Sequence, residues 1–188
     1  MLQACRELLF RDGYQATTIR AVAERAGVSP ETVYKAFGGK PGLVKALWDV
    51  TLAGDDEPLT MAERPQLQEV LETRDARAKL RLYAAFVRGV HERLAALFTL
   101  LAQAGPDVGQ VLVLSEEERM TGVTAFVTHL ADASVLPADT DTALLADSWW
   151  ALTGPHLFTQ LTTGRGWAAD TYENWLGGML ASALLDTD

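Results

Sequence analysis

The stretch from Thr17 to Lys40, TTIRAVAERAGVSPETVYKAFGGK, restricts what this chain can fold into more than any other. Ile19, Val22, Ala23 and Ala26 recur at i, i+3, i+4 and i+7, one apolar face of a short helix. Thr17 or Thr18 can cap its start, and Gly27 can end it in a left-handed turn. Ser29 can cap a second helix, with Pro30 at the first position, where a missing N–H costs nothing. Val28 before the cap and Val33 after it are spaced to pack as a hydrophobic staple. Two short helices joined by a tight glycine turn predict a helix-turn-helix, whose second helix can enter a DNA major groove.

The outer face of that second helix carries Pro30, Glu31, Thr32, Tyr34 and Lys35. Ser29, Thr32 and Lys35 offer hydrogen bonds to base edges or phosphates, and Thr32 also offers a methyl to thymine. Thr18, Arg20, Tyr34 and Lys40 are better placed for phosphates. Glu31 would repel phosphate unless it faces a cytosine amino group. The competing reading is a helix-turn-helix used only for packing, with Tyr34 in a core and Lys40 a solvated cap.

The run Gly13-Tyr14, Thr17-Thr18-Ile19, Ala23, Ala26-Gly27-Val28-Ser29, Thr32-Val33-Tyr34, Phe37-Gly38-Gly39-Lys40 and Leu43 resembles the DNA-binding domain of the TetR family of transcriptional regulators. The resemblance covers roughly residues 2–52 and rests on the Gly-Tyr before the motif and the Tyr-x-x-Phe-x-x-Lys after it. It implies that Thr18, Tyr34 and Lys40 hold the DNA backbone while the second helix reads sequence. The position of Ala36 is often His or Tyr in relatives and grips phosphate there; alanine cannot. Relatives often carry a basic arm before the first helix. Here that helix starts almost at Met1 and the arm is absent or was removed, which puts arm contacts to the minor groove in doubt.

Net charge is −9, which alone argues against nucleic acid. Its distribution changes the reading. Residues 1–53 hold seven Lys or Arg and five Asp or Glu, a net +2, and the remainder is −11. An acidic body with a mildly basic head suits a protein that touches phosphate with one end. At 188 residues the chain can bury a real core. Its one cysteine, Cys5, excludes an internal disulfide, lies on an apolar helix face and fits a reducing cytoplasmic setting. No apolar run reaches the roughly 18 residues a membrane span needs, and no secretory signal pattern is present.

The pattern is all-α: about nine helices, with a helix-turn-helix domain at residues 1–53, a connector at 54–74 and a helical ligand-binding and dimerisation domain at 75–188. Leu2, Cys5, Leu8 and Leu9 face inward on helix 1, which Gly13 should end. A helix follows near Lys40-Pro41, with Leu43, Val44 and Leu47 inward. The acidic connector, with two prolines, should hold one short helix. From near Asp75, helical spacing runs about eight turns, with Gly89 a candidate division point and Gly105-Pro106 the break. The next helix should span about Val108 to Asp132. A long helix from about Asp141 to Thr163 should kink at Pro155, and the last should span about Ala169 to Leu185.

The last stripe, Tyr172, Trp175, Leu176, Gly177, Met179, Leu180 and Ala183, is broad and contains helix-weakening glycines, explained if another helix comes close. It is the candidate dimer interface, and the resemblance implies dimerisation through the last two helices, as a four-helix bundle across a two-fold axis. The alternative is packing within one chain. Tyr83, Phe86, Val90, Phe126, Trp149, Trp150, His156 and Phe158 are candidates for a small-molecule pocket, which the resemblance also implies. Such a pocket would be mostly apolar, so an apolar or aromatic effector is expected.

His91, His129 and His156 lack metal-ligand spacing, so no metal and no cofactor are expected. No Gly-rich phosphate loop, Gly-x-Ser-x-Gly elbow or Cys/His nucleophile pair is present, so no catalytic residue is expected. Together these readings predict a cytoplasmic, homodimeric regulator that binds a palindromic double-stranded operator, most often as a repressor, and responds to a ligand. Two alternatives remain: a regulator with a filled core acting as a constitutive DNA-binding or protein-docking module, and a helical carrier or enzyme with a vestigial head.

Overall fold

The computed structural model describes residues 1–105 and 108–184, and among these residues regular structure is helical throughout. Pro106, expected to break a helix, and Leu185, expected to end the last one, lie outside the described residues. The helices are α1 (Leu2–Ala16), α2 (Ile19–Ala26), α3 (Pro30–Phe37), α4 (Lys40–Ala53), α5 (Pro65–Glu72), α6 (Ala76–Ala102), α7 (Gly109–Asp132), α8 (Thr142–Leu152), α9 (Pro155–Thr159) and α10 (Ala169–Ala181). They form two compact units, one of residues Met1–Asp56 with Arg93–Glu116, the other of Glu57–Glu92 with Glu117–Asp188. Helices α6 and α7 thus each supply residues to both.

In the first unit, α1, α2, α3 and α4 close over Cys5, Leu8, Leu9, Val22, Val33, Leu43, Val44 and Leu47, all buried. Burial pushes the Cys5 thiol up to about 11, so this cysteine behaves as a small apolar residue. Trp48 meets Phe98 edge-on with ring centroids 6.5 Å apart. Arg93 donates from Nε and Nη2 to the Leu52 carbonyl at 3.2 and 2.7 Å, satisfying an orphan carbonyl at the end of α4. Gly42 is obligatory here. A Cβ at that position would lie 2.0 Å from the Phe37 carbonyl oxygen, so α4 approaches the end of α3 by having no side chain there.

In the second unit, a short 3-10 turn at Met61–Glu63 precedes α5, so the expected single helix of the connector carries an extra turn. The Glu63 carboxylate folds back on the start of that turn, accepting from the Thr60 N–H and hydroxyl at 2.8 and 2.7 Å. The core is aromatic. Tyr83 stacks on Phe126 at 4.0 Å and Phe126 meets Trp149 at 6.0 Å. Phe158 meets Tyr172 edge-on at 4.9 Å. Arg88 donates to Glu173 at 2.9 Å, tying α6 to α10.

Three boundaries differ from the sequence expectation. Gly13 does not end α1 but interrupts it at φ 81°, and a final turn follows with Tyr14 buried. Gly89 does not divide α6, which runs unbroken for 27 residues. One glycine costs about 1 kcal/mol in a helix, less than the packing of a long apolar face returns. Pro155 does not kink one long helix. The chain leaves helical geometry at Thr153-Gly154, and Pro155 opens α9 at its first turn, where proline needs no donor.

Candidate nucleic-acid interface

Thr18 caps α2 by accepting from the Ala21 N–H at 3.1 Å, and Gly27 ends α2 in the left-handed region at φ 67°. Ser29 then caps α3, accepting from the Thr32 N–H at 3.3 Å. Val33 is fully buried beneath α3, so the rest of the helix turns outward. Thr18, Arg20, Ser29, Thr32, Tyr34 and Lys35 are all exposed, and Pro30 is half-buried beside them. Tyr34 leaves 55% of its surface in solvent, which removes the reading of Tyr34 as a core aromatic. An exposed aromatic with a hydroxyl, flanked by three hydroxyl side chains and two cations, is a surface that can grip phosphate and reach base edges. Ala36 is exposed on the same helix and adds no grip.

Lys40 has a different setting from the one its spacing suggests. Its ammonium donates to the Tyr14 carbonyl and lies 3.8 Å over the Tyr14 ring. That carbonyl lies in the last turn of α1, where no i+4 amide of the helix reaches it. Lys40 therefore joins the end of α1 to the start of α4, and a cation–π contact of this kind is worth about 0.5–2 kcal/mol. The Gly-Tyr pair and the lysine, 26 residues apart, belong to one structural contact that the sequence shows only as two separate signals.

The expected pocket residues divide. Tyr83, Val90, Phe126, Trp149 and Phe158 are buried together in the second unit, with Phe86 half-buried against Tyr83. Trp150 lies under the Arg119 guanidinium, 4.8 Å from ring to cation. His156 is exposed and stands outside this cluster. Beside the rings lies a polar group that the sequence reading passed over. Arg119 donates to the Trp150 carbonyl at 2.6 Å and contacts the Thr153 hydroxyl at 3.4 Å. His91 Nε2 lies 2.8 Å from the Thr153 carbonyl, and since a carbonyl only accepts, Nε2 carries the proton. That leaves His91 Nδ1 as a bare acceptor, buried and without a partner. The Tyr172 hydroxyl is buried and equally unpartnered. Burial pushes the His91 imidazole down to about 4, against the pull of the Thr153 carbonyl, and raises Tyr172 well above the ordinary phenol range. Each such group costs about 1–3 kcal/mol unless something satisfies it.

Of the expected dimer stripe, Tyr172, Leu176, Gly177 and Leu180 are buried inside their own chain. A Cβ on Gly177 would lie 3.7 Å from the Ala84 Cβ of α6, so the close helix is an intramolecular one. Trp175 is half-buried against Trp167 and Tyr172. Met179 faces out, as does Gly178, with nothing within 4 Å of a Cβ there. The Ala183 side chain lies outside the described residues. Among the described residues, no helix is long and apolar enough to cross a membrane, and no three His, Cys, Asp or Glu side chains gather as a metal site.

Residues 1–47 match the model for bacterial regulatory proteins of the tetR family. The HTH-type transcriptional regulator YvkB of Bacillus subtilis (strain 168), itself uncharacterised, is 47% identical over 47 residues; the match spans 25% of this chain and 25% of that protein. Two solved structures share the fold across nearly the whole length. The transcriptional regulator FadR of Bacillus subtilis, in complex with stearoyl-CoA, aligns over 97% of this chain and 96% of its own, with TM-score 0.71 and 17% identity. The fatty acid degradation regulator FadR of Bacillus halodurans aligns over 95% of each chain, with TM-score 0.67 and 14% identity. At such identities the likeness concerns architecture alone.

Proposed function

We propose that this chain is a regulator of the TetR family, which the match of its residues 1–47 supports, and acts as a homodimeric repressor whose grip on a palindromic operator is released by a small molecule. The observation that carries this reading is the outer face of α3. Polar, aromatic and cationic side chains stand in solvent there over a fully buried Val33, on a helix capped at both ends. Two such helices would enter successive major grooves roughly 34–36 Å apart. DNA contact is assigned to residues 1–53, and ligand binding and dimerisation to residues 75–188, joined by the connector at 54–74.

The dimer face we assign is the outer side of α8 and α10, not the inward stripe. Leu144 is 64% exposed and Met179 40%, with Gly178 open between helical turns. The effector site we assign is the aromatic cluster at Tyr83, Phe126, Trp149 and Phe158. The unpartnered His91 Nδ1 and Tyr172 hydroxyl support it, because a ligand with one donor and one acceptor would satisfy both. Rings in contact at 4.0 Å leave the site closed until a ligand parts them. A ligand can release DNA only by the difference in its affinity for two states, about 1–3 kcal/mol of coupling. His91 and Arg93, which caps α4, are two residues apart on α6, so α6 is the element that a ligand at His91 would bias.

The test is selection of bound fragments from a sheared bacterial genome at physiological salt, followed by footprinting. A two-fold symmetric footprint supports the reading. Uniform, unsaturable binding, or none, removes it. Release of the selected fragment by a small-molecule library then separates the ligand-responsive regulator from one with a filled core.

A further inference from the structure

Glu31 is the one anion on a face otherwise suited to DNA, and its surroundings give it a definite role. The side chain is exposed, and its carboxylate accepts from its own backbone N–H and from the Ser29 hydroxyl, which together hold it below the usual carboxylate range. Ser29 has a single hydroxyl proton. If that proton goes to Glu31, Ser29 can only accept from Thr32, whose N–H lies 3.3 Å away and whose hydroxyl lies 3.2 Å away. The Thr32 proton is thereby directed at Ser29. Lone pairs and a methyl then point outward from Thr32, and spare carboxylate lone pairs from Glu31. With that proton assignment the start of α3 is an accepting surface, and this end of a recognition helix is the one that meets base edges.

We propose that Glu31 selects a cytosine at one position of each operator half-site, an inference that rests on the DNA-binding reading above. In the major groove cytosine offers only the N4 amino donor. Adenine sets the N7 acceptor beside its amino group, and guanine and thymine offer acceptors, all of which repel a carboxylate. A phosphate repels it as well, so the carboxylate is useful on this face only against a base donor.

The experiment is selection from a random duplex library by the full-length protein, compared with Glu31→Gln and Glu31→Ala. The wild type should recover a symmetric motif with one cytosine per half-site preferred roughly tenfold or more over other bases. Glu31→Ala should lose that preference at that position alone, and Glu31→Gln should move it toward adenine, which a carboxamide reads through N6 and N7. A symmetric motif whose cytosine column is absent, or is the same in all three proteins, overturns the role of Glu31 and leaves DNA recognition standing. Recovery of no motif by the wild type overturns both.

Discussion

Helices α3 and α10 have similar sequences in one respect: each is short, amphipathic and marked by residues that invite a functional reading. They use their faces in opposite ways. In α3 the apolar residue Val33 is buried and the marked residues Ser29, Thr32, Tyr34 and Lys35 face solvent. In α10 the marked stripe of Tyr172, Leu176, Gly177 and Leu180 is the buried face, packed on α6. Periodicity reports which side of a helix leaves water; it does not report what covers that side. A polar face on a helix with strong caps points outward for want of anything else, whereas an apolar face has many possible partners and the fold chooses among them.

The comparison can be broken at α3 first. Gly42→Ala sets a methyl against the Phe37 carbonyl, a backbone atom that cannot turn aside, and should cost about 3 kcal/mol, the upper end for overpacking. Thermal unfolding and operator binding should both suffer. Unchanged unfolding would mean that the α3–α4 approach is looser than described. The buried core of the second unit is tested next, through His91 of α6. Its imidazole titrates near 4 when folded against an ordinary 6.5, so the unfolded chain binds more protons between those values. Stability therefore rises with pH across this window, and the part due to His91, about 3 kcal/mol, is lost as pH falls from 6.5 toward 4. His129, also lowered by desolvation and by Lys79, acts in the same direction. Denaturant unfolding from pH 7 to 4.5 should show a shallower dependence for His91→Gln than for the wild type; equal slopes would place His91 in contact with water.

The outer face of α8 and α10 is probed by Leu144→Asp with Met179→Asp. Placing charges on a desolvated interface should cost about 2 kcal/mol or more per site. Sedimentation should show monomers with unchanged helical content. A persistent dimer would move the interface elsewhere. The smallest effect sharpens the reading of α2 and α3. Arg20→Ala removes an exposed cation and should reduce the salt dependence of operator binding by about one unit of slope, evenly across sequences, without altering stability. Lys40→Ala serves as the contrast, because Lys40 is joined to Tyr14 and its loss should lower head stability. A stable Lys40→Ala with a flattened slope would show that Lys40 holds phosphate and contributes little to the head's stability.

Most of the head was legible because its signals are local. The Thr18 and Ser29 caps, the Gly27 and Gly38 turns and the spacing of Ile19, Val22 and Ala23 all act within four residues, and each gives the same answer. Tyr14 with Lys40 and Gly42 with Phe37 were not legible, since each depends on how two helices meet. In the second unit the helical pattern could be read, and Gly154-Pro155 marked the end of α8, though the sequence reading took the proline for a kink within one helix. What could not be read is that Arg119 and His91, from α7 and α6, meet the backbone at that break.

By itself, the chain of residues determined the helical class, the helix-turn-helix and the residues its second helix presents, because caps, turns and apolar spacing are short-range effects. Tertiary structure alone decided which face of α10 is spent inside the chain, that Lys40 is anchored on Tyr14, and that His91, Arg119 and Tyr172 stand among the rings. Those outcomes depend on desolvation and close packing between residues far apart in sequence, and no local pattern encodes what a buried side chain will find opposite it.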